Sequence, residues 1–398
     1  MARSHFHSLW LALFALVALL VLIRFSFSPS SSWRTATLEK MRGNEMQQNR
    51  GNIGVTGVST SDKLTKKLRS CLGDIEWPEP VIIIDESTLR LLSLNLCPPI
   101  KSGLKIAVTS ANSQLAVNVT VKGKEKPIQV NKFTMTNSNA TDYTLFFNGT
   151  TKYAVPKFTM INAGKMSVPS DIPNFLEFWK ESRFIDCLGI QMNRTDTKRQ
   201  IPLEVVIQIA ELRDFLRKNF AMNPLLWDGT LLGWFRECSI ISHTHDFDLA
   251  VPSEHFTPDI IRELANESQP FWIRRVLGLP ADSLELTIHS RHGSNKPSID
   301  LFFLYRSENA SYSAGLDFGS RTKFRWEYSW RIERFCSGAL LGHLFRVPCE
   351  VERVLESQYG PDWAIDVPTS HFGWSSSSKN VKKVGHFDEV DMKEMRGG

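Results

Sequence analysis

The chain has 398 residues, a formal net charge of +5 and 42% hydrophobic residues. This length allows two or three domains, and the hydrophobic content suffices for real cores. The basic residues are scattered rather than clustered, so composition gives no support for a nucleic-acid partner, and none is expected. A weak positive charge is compatible with a site that handles phosphates.

The first recognisable element is an apolar run at residues 9–23, LWLALFALVALLVLI, with Arg3 before it and Arg24 after it. The run is short for a bilayer span, but Phe25 and Phe27 extend it. A cleaved secretory signal peptide is the competing interpretation, and no small-x-small cleavage site follows promptly. We therefore expect an uncleaved transmembrane signal anchor over residues 9–27, a cytoplasmic tail at 1–8 and a single-pass type II membrane protein.

The composition after the anchor indicates a lumenal protein. Residues 28–70 are rich in Ser, Gly, Asn, Gln and charged residues, which is typical of a flexible stem. The body carries more Asn-x-Ser/Thr sequons than chance predicts, and sequons mark surface loops where they are used. The six sequon asparagines are Asn118, Asn139, Asn148, Asn193, Asn266 and Asn309.

Six cysteines are spread along the chain without a Cys-x-x-Cys pair or a His spacing typical of zinc. In a lumenal compartment some of them should form disulfides, although the sequence does not give the connectivity. We expect Cys71 to pair with Cys97, because the two flank one strand–helix unit. Free buried thiols are the alternative interpretation.

Residues 71–165 predict a smaller mixed α/β domain. A buried-type strand at 81–84 precedes Asp85 and a helix-like stretch, and runs of alternating polarity follow between turn residues. This part of the sequence shows no reactive constellation. We therefore interpret it as a packing or acceptor-recognition module.

The remaining residues, 166–398, predict the catalytic domain. Asp171 followed by Pro173 is typical of a helix start. Residues 202–220 predict an amphipathic helix, because apolar residues recur at three- and four-residue steps and so share one face. These apolar residues are Val205, Ile209, Leu212, Leu216 and Phe220.

Residues 225–252 read as a strand, a glycine turn, a helix and a second strand. The apolar run 225–227 ends at a turn signal that contains Gly229 and Thr230. A helix then starts over residues 231–236. Exposed backbone N–H groups at a glycine turn and a helix start suit an anion such as phosphate.

The second strand carries Asp246 and Asp248 on one face, because side chains in a strand repeat every two residues. Adjacent carboxylates repel unless a cation neutralises them, and Mg²⁺ is held by one or two carboxylates plus substrate phosphates. The stretch therefore predicts a phosphate cradle beside a metal clamp. The alternative is chance, since composition alone gives roughly one Asp-x-Asp in a chain of this length.

Asp300 lies inside an apolar strand predicted over residues 298–305. A carboxylate in such a strand is costly unless it is paired or bound to metal. One interpretation is an ion pair with a nearby Arg or Lys, and the other is a third acid that approaches Asp246 and Asp248 across adjacent strands. Basic residues occur throughout this region, and we expect most on the surface and one or two against phosphates. They are Arg274, Arg275, Lys296, Arg321, Lys323 and Arg325.

These motifs, in this order, resemble the fukutin family and, more widely, the LicD-type phosphotransferases of the nucleotidyltransferase-like superfamily. The segments that carry the resemblance are GTLLGWFRECSII (229–241), DFDL (246–249), DSLEL (282–286), IDLFF (299–303) and VPCE...YG..W (347–363), with SRFIDC (182–187) and VIIID (81–85) upstream. One departure is the sequence SHTH at 242–245, where LicD-type proteins usually carry a richer acidic run. This departure points to the fukutin branch.

The resemblance implies an α+β fold. Its parts are an N-terminal transmembrane helix, the smaller mixed α/β domain and a nucleotidyltransferase-like catalytic domain with a mixed sheet flanked by helices. The residues that it implies for binding donor phosphate are Gly229, Thr230 and Arg236. The residues that it implies for catalysis and for binding Mg²⁺ or Mn²⁺ are Asp246, Asp248 and Asp300.

The resemblance further implies transfer of ribitol 5-phosphate, or a related phospho-alditol, from a CDP-linked donor to a sugar hydroxyl of a glycoprotein O-mannosyl glycan, as on alpha-dystroglycan. The expected location is the Golgi membrane with a lumenal catalytic domain, and the endoplasmic reticulum is the alternative. Other transferases of the glycan pathway are expected partners. Two rival functions stay open: a Golgi glycosyltransferase that uses a nucleotide sugar, and a non-catalytic scaffold for another transferase.

Overall fold

The computed structural model describes residues 60–395 apart from 74, 76, 78, 100–101, 110–117, 122–123, 128–129, 138–140 and 195–197. The predicted membrane anchor at 9–27 and most of the predicted stem lie outside the described residues. In the part of the chain that is described, no helix is both long enough and apolar enough to cross a bilayer.

The first domain is built on a seven-stranded mixed sheet in the order β7-β6-β5-β2-β1-β9-β8, and β3 pairs with β4 in a separate hairpin. Its elements are α1 (Thr60–Leu72), β1 (Val81–Ile83), α2 (Glu86–Ser93), β2 (Leu104–Val108), β3 (Asn118–Val121), β4 (Lys124–Pro127), β5 (Val130–Asn137), β6 (Asp142–Phe147), β7 (Thr151–Pro156), β8 (Met160–Ala163), β9 (Met166–Pro169) and α3 (Ile172–Lys180).

Helix α1 begins inside the segment that composition predicted as a flexible stem. Leucines recur every four residues along it and share one face. Leu68 and Leu72 are buried in the first hydrophobic core, and a disulfide joins Cys71 to Cys97. The stem prediction therefore fails for residues 60–70, because burial of the leucine face outweighs the polar composition. The predicted pairing of Cys71 with Cys97 is confirmed.

The first domain extends past the boundary predicted at residue 165. Strand β9 pairs in parallel with β1, with Met166 opposite Val81. Helix α3 follows, and its Trp179 is buried in the first core, whereas the second core begins at Ile201. The boundary thus lies after α3, because the β8–β9 hairpin returns the chain to the first sheet.

The second domain has a mixed sheet of ten strands. Its elements are a 3₁₀ turn (Leu203–Val205), α4 (Val206–Phe220), β10 (Leu225–Leu226), α5 (Asp228–Glu237), β11 (Asp246–Pro252), a 3₁₀ turn (Ser253–His255), α6 (Asp259–Ala265), β12 (Phe271–Leu277), β13 (Glu285–Ser290), β14 (Ser298–Arg306), β15 (Ser311–Asp317), β16 (Thr322–Tyr328), β17 (Phe335–Leu340), β18 (His343–Pro348), α7 (Val351–Tyr359), a 3₁₀ turn (Thr369–His371), β19 (Val381–His386) and α8 (Glu389–Glu394).

The strands of this sheet follow the order β17-β18-β10-β11-β14-β15-β16-β19, and β13 with β12 branches from β14. β14 runs parallel to β11 and antiparallel to both β13 and β15. β13 pairs with residues 299–302 of β14, and β15 pairs with its last two residues. The sheet therefore forks beside the first half of β14, the half that contains Asp300.

Helix α5 is held against the sheet through Trp234. The indole N–H donates to the backbone carbonyl of Ala339 at 3.0 Å, and the indole ring lies over Gly338 in β17. A Cβ atom added at Gly338 would lie 2.1 Å from Cζ2 of Trp234. The approach of the helix to the sheet therefore requires a glycine at this position.

We expect Gly338→Ala to lower the free energy of unfolding by about 1–3 kcal/mol, because the fully buried indole has to move to admit the methyl group. Urea unfolding monitored by circular dichroism measures the change. Gly319→Ala is the matched control, since the atom nearest to its added Cβ is the Asp317 carboxylate at 3.5 Å, an ordinary contact. Equal stability of the two variants would contradict this packing argument.

Candidate functional site

A cavity of about 440 Å³ opens beside the parallel pair β11 and β14. Helix α5, strands β11 to β16 and the segment from the end of α7 to residue 378 line it. Of the six site residues predicted from the sequence, five line this cavity and Thr230 does not. The cavity therefore contains the candidate site.

Three carboxylates converge at one side of the cavity. The register of β11 and β14 places Asp248 opposite Asp300, and Asp246 lies two residues before Asp248 on the same face. One carboxylate oxygen from each of the three residues lies within 4.8 Å of the others. The structure thus brings together the acids that the sequence predicted to meet across adjacent strands.

The pKa values of these acids reflect the crowding. Burial raises the pKa of the Asp248 carboxyl well above its usual range, and the neighbouring carboxylates of Asp246, Asp228 and Asp300 raise it further. Burial also raises the pKa of Asp300 to about 6, although a hydrogen bond from Thr287 opposes the shift. Without a bound cation, the carboxyl groups of Asp248 and Asp300 therefore stay protonated to higher pH than ordinary carboxyl groups.

The three acids fit a hard divalent cation, which takes carboxylate oxygens as ligands. Among the residues that the structure describes, their single ion-pair partner is Arg275, whose Nη2 lies 3.7 Å from Oδ1 of Asp300. One guanidinium, about a third exposed, does not balance three carboxylates. The three carboxylates supply oxygen ligands, and they lack a balancing positive charge. Both properties fit binding of Mg²⁺ or Mn²⁺.

The start of helix α5 holds Asp248 in place. The backbone N–H of Gly229 donates to Oδ2 of Asp248 at 3.0 Å, and the backbone N–H of Asp248 donates to the Thr230 hydroxyl at 2.7 Å. A Cβ at Gly229 would lie 3.1 Å from the same carboxylate oxygen. The polar groups that the sequence predicted to face a phosphate are thus engaged by Asp248, because the turn lies directly against β11.

Arg236 also differs from the prediction, which had it bind donor phosphate. Its side chain is 2% exposed and pairs with Glu237 and Asp366. Its five N–H donors face Glu237, Asp366 and the backbone carbonyls of Trp363 and Ile365. Arg236 therefore fixes the cavity wall, since no donor is left over for a phosphate.

The same network ties the segment after α7 to the rest of the domain. Arg194 bonds both Glu237 and Asp366 at 2.6–2.8 Å, and His243 contacts Asp366 and Thr369. Burial alone would raise the pKa of Asp366, but hydrogen bonds from Arg194 and His243 lower it to about 2. These charges hold one wall of the cavity in place.

Arg275 is the cation at the site to which sequence reasoning gave no specific role. A bulge in β12 skips Arg274, so that Arg275 lies opposite Thr287 and its Nε donates to the Thr287 hydroxyl at 3.0 Å. That hydroxyl in turn donates to Oδ1 of Asp300 at 2.5 Å. Bulges redirect side chains near functional sites, and the sequence carries no signal for this one.

Asp228 is a fourth acid at the cavity, known from the sequence only as a turn residue. Oδ1 of Asp228 accepts a hydrogen bond from Nε2 of Gln358 at 2.8 Å. Burial raises its pKa to about 7, the bond from Gln358 opposes this shift, and Asp246 adds to it. The site thus combines three converging acids with a flanking acid and one accessible guanidinium.

Two family models match the chain, one in each domain. A family model described as "W02B3.4-like, N-terminal domain" matches residues 67–186, and one described as "LicD/FKTN/FKRP, nucleotidyltransferase domain" matches residues 223–350. The second match spans the glycine turn, the three converging acids and Arg275. The first match agrees with a domain boundary after α3.

Two uncharacterised proteins of Caenorhabditis elegans match most of the chain. T07A5.1 is 30% identical over 96% of both chains, and W02B3.4 is 33% identical over 81% of this chain and 83% of its own. The mouse protein named ribitol-5-phosphate transferase FKTN is 29% identical over 56% of this chain and 50% of its own. The chain therefore belongs to the same family as W02B3.4 and T07A5.1, carries a LicD/FKTN/FKRP nucleotidyltransferase domain behind a W02B3.4-like N-terminal domain, and is homologous to fukutin over 56% of its length.

Proposed function

We propose that the protein is a metal-dependent phosphotransferase that moves ribitol 5-phosphate, or a related phospho-alditol, from a CDP-linked donor to a sugar hydroxyl of a glycoprotein glycan. The observation that carries the proposal is the convergence of Asp246, Asp248 and Asp300 beside a cavity in the LicD-type domain. Homology to fukutin, a transferase, supports the class of reaction.

In this proposal Asp246, Asp248 and Asp300 hold Mg²⁺ or Mn²⁺. The bound cation would neutralise the donor diphosphate and stabilise the charge that develops on its oxygens. Gly229 and Thr230 orient Asp248 for this task through the two hydrogen bonds described above. They act on the donor through the metal-binding acid, whereas the sequence suggested direct contact.

Arg275 takes the phosphate-binding role that the sequence assigned to Arg236. Its guanidinium lines the cavity and keeps N–H donors beyond the Nε bond to Thr287. Arg pairs well with phosphate oxygens because its planar fork donates two parallel hydrogen bonds. Arg275 thus supplies fixed positive charge next to the carboxylates.

The chemical step transfers the phospho-alditol to an oxygen of the acceptor. The acceptor hydroxyl attacks the donor phosphorus nearer the alditol, the bond from that phosphorus to the CMP oxygen breaks, and CMP leaves. The hydroxyl proton passes to a carboxylate, for which Asp300 is positioned. Thr287 donates to Oδ1 of Asp300, which leaves Oδ2 without a protein donor among the described residues.

The proposal includes a location in the Golgi membrane, with the endoplasmic reticulum as the alternative, and other transferases of the glycan pathway as partners. All six cysteines form disulfides, which agrees with an oxidising compartment. The described sequon asparagines are exposed, as a lumenal glycoprotein requires. They are Asn148, Asn193, Asn266 and Asn309.

The full-length protein should release CMP from CDP-ribitol in the presence of Mn²⁺ and a phosphorylated O-mannosyl acceptor, and EDTA should stop the reaction. Asp248→Asn should reduce kcat by at least about a hundredfold, because it removes charge from the centre of the acid cluster. Glu308→Gln, in an exposed turn, is the control and should retain activity. If no CDP-alditol gives metal-dependent CMP release, the transferase proposal is wrong and the non-catalytic scaffold is favoured. If the protein is active with a nucleotide sugar alone, the glycosyltransferase is favoured.

Thr230→Val should raise the Mn²⁺ concentration needed for half-maximal activity by roughly 10–100-fold, because the hydroxyl that anchors the Asp248 backbone is lost. Thr230→Ser keeps a hydroxyl at the same place and should restore most of the affinity. Titration of CMP release against Mn²⁺ measures both variants. If the Val and Ser variants need the same Mn²⁺ concentration, the anchoring role is wrong.

The metal-induced rise in melting temperature should grow with pH. The folded-state pKa values of Asp248 and Asp300 are raised, that of Asp300 to about 6, so the metal-free protein binds extra protons and loses stability as the pH rises from the ordinary carboxyl range past the raised pKa values. Divalent cations need the deprotonated acids, so Mn²⁺ should stabilise weakly near about pH 5 and strongly near about pH 8. Differential scanning fluorimetry measures the rise, which should stay small at both pH values in Asp300→Asn. A rise that is equal at the two pH values in the wild type would refute this account.

A further inference from the structure

Asp228, the first residue of α5, is an acid at the cavity to which the proposed reaction gives no role. Nε2 of Gln358, near the end of α7, donates to Oδ1 of Asp228 at 2.8 Å. No described residue hydrogen-bonds the second carboxyl oxygen, Oδ2, although burial raises the pKa of this carboxyl group to about 7. A carboxyl oxygen removed from water without a protein partner is costly, so Oδ2 points to a ligand in the cavity.

Buried polar groups fix the orientation of this carboxyl group. The hydroxyl of Tyr328, at the end of β16, donates to Oε1 of Gln358 at 3.3 Å. Since the amide oxygen faces Tyr328, the amide nitrogen faces Asp228. Tyr328 is fully buried and Gln358 is 3% exposed, although Gln358 also lines the cavity. Two other elements of the domain thus hold Oδ1 of Asp228 and leave Oδ2 available.

The backbone of Asp228 has a conformation that is rare for a residue other than glycine. Its φ is 37°, in the left-handed region. Ala221 and Cys238 also have positive φ, but they directly follow α4 and α5, where this conformation is a common helix end. Asp228 lies at a helix start, where capping does not explain it. Strained residues cluster at ligand-binding sites, which agrees with a carboxyl group held for a ligand.

The strand order indicates which kind of ligand reaches Asp228. Asp228 follows β10, which lies beside β11, whereas Arg275 lies in β12 on the other side of β14. The three converging acids therefore lie between Asp228 and Arg275. A phosphate oxygen is favoured near Arg275 and repelled near Asp228 and Asp246, whose charges interact. A hydroxyl group both donates and accepts, so it can bind Oδ2 whether the carboxyl group is ionised or protonated.

We propose that Oδ2 of Asp228 binds a hydroxyl group of a polyol substrate and that Gln358 is a positioning residue for this contact; the proposal rests on the proposed function. The hydroxyl group belongs to the alditol of the donor or to the acceptor sugar. A site built to hydrogen-bond a substrate hydroxyl discriminates against analogues that lack it. Asp228 therefore selects and orients the polyol, while the three converging acids hold the metal ion.

Isothermal titration of the full-length protein with CDP and with CDP-ribitol, each with Mn²⁺, tests the inference for the donor. Titration with the phosphorylated O-mannosyl acceptor, in the presence of CDP and Mn²⁺, tests it for the acceptor. Asp228→Ala should weaken binding of one of the two polyol ligands by roughly tenfold to a hundredfold, the effect of losing a hydrogen bond to a charged group. CDP should bind this variant as it binds the wild type, because CDP carries neither the alditol nor the acceptor sugar. Loss with CDP-ribitol identifies the alditol, and loss with the acceptor identifies the acceptor sugar.

Asp228→Asn guards against misfolding of the Ala variant. It keeps the size of the side chain and the bond from Gln358, and its loss of affinity should be smaller, because a hydrogen bond to a neutral group is weaker. Gln358→Met should weaken the same polyol ligand and leave CDP unchanged, whereas a merely structural role would weaken both. The exposed Glu308→Gln should bind all three ligands normally.

Unchanged affinity for both polyol ligands in Asp228→Ala would overturn the inference. An equal loss of affinity for CDP would also overturn it, because Asp228 would then act on the metal site. CMP release from CDP-ribitol is measured separately. If the polyol affinity falls in the variants but the wild type releases no CMP, only the proposed reaction is wrong; if the wild type releases CMP and the variants keep their polyol affinity, only the role of Asp228 is wrong.

Discussion

Repulsion among three converging carboxylates is the constraint around which the second domain is arranged. The parallel pairing of β11 with β14 places Asp248 opposite Asp300, so the proximity of the two residues is built into the backbone register. Helix α5 offsets part of the repulsion, because its first turn directs the Gly229 N–H and the positive end of the helix dipole at Asp248. Arg275 offsets another part from β12. The repulsion that remains has to be relieved by a proton or a metal ion.

In a second charged cluster of the same domain, the positive and negative charges balance. Arg236 and Arg194 face Glu237 and Asp366, two cations against two acids, with His243 at the edge. Every N–H donor of Arg236 has an acceptor, and the result is a rigid wall. The acids of β11 and β14 are adjacent to this cluster and short of positive charge. Since the chain satisfies one cluster completely, the deficit in the other is a property of a binding site rather than of loose packing.

The sequence predicted the acid site well because two short-range rules define it. Side chains alternate along a strand, which puts Asp246 and Asp248 on one face, and a carboxylate in an apolar strand needs a partner, which singled out Asp300. The role predicted for Arg236 failed because its partner Asp366 lies far along the chain, and residue type does not reveal such a contact. The β12 bulge that directs Arg275 is likewise a tertiary feature. The domain boundary was misplaced because β9 returns to pair with β1, a pairing between distant segments that no local pattern encodes.

The distribution of charge in the cavity favours binding of a metal ion before an anionic ligand. Asp246, Asp248 and Asp300 converge without enough positive charge, so an anionic ligand is repelled until a cation neutralises them. Glu285 adds to this crowding, because the strand register places it on the same face of the sheet as Asp300. Burial raises the pKa of Glu285 well above its usual range, and the Asp300 carboxylate raises it further. A cation held by the three acids would relieve the crowding, so metal binding has to precede or accompany the entry of an anionic ligand.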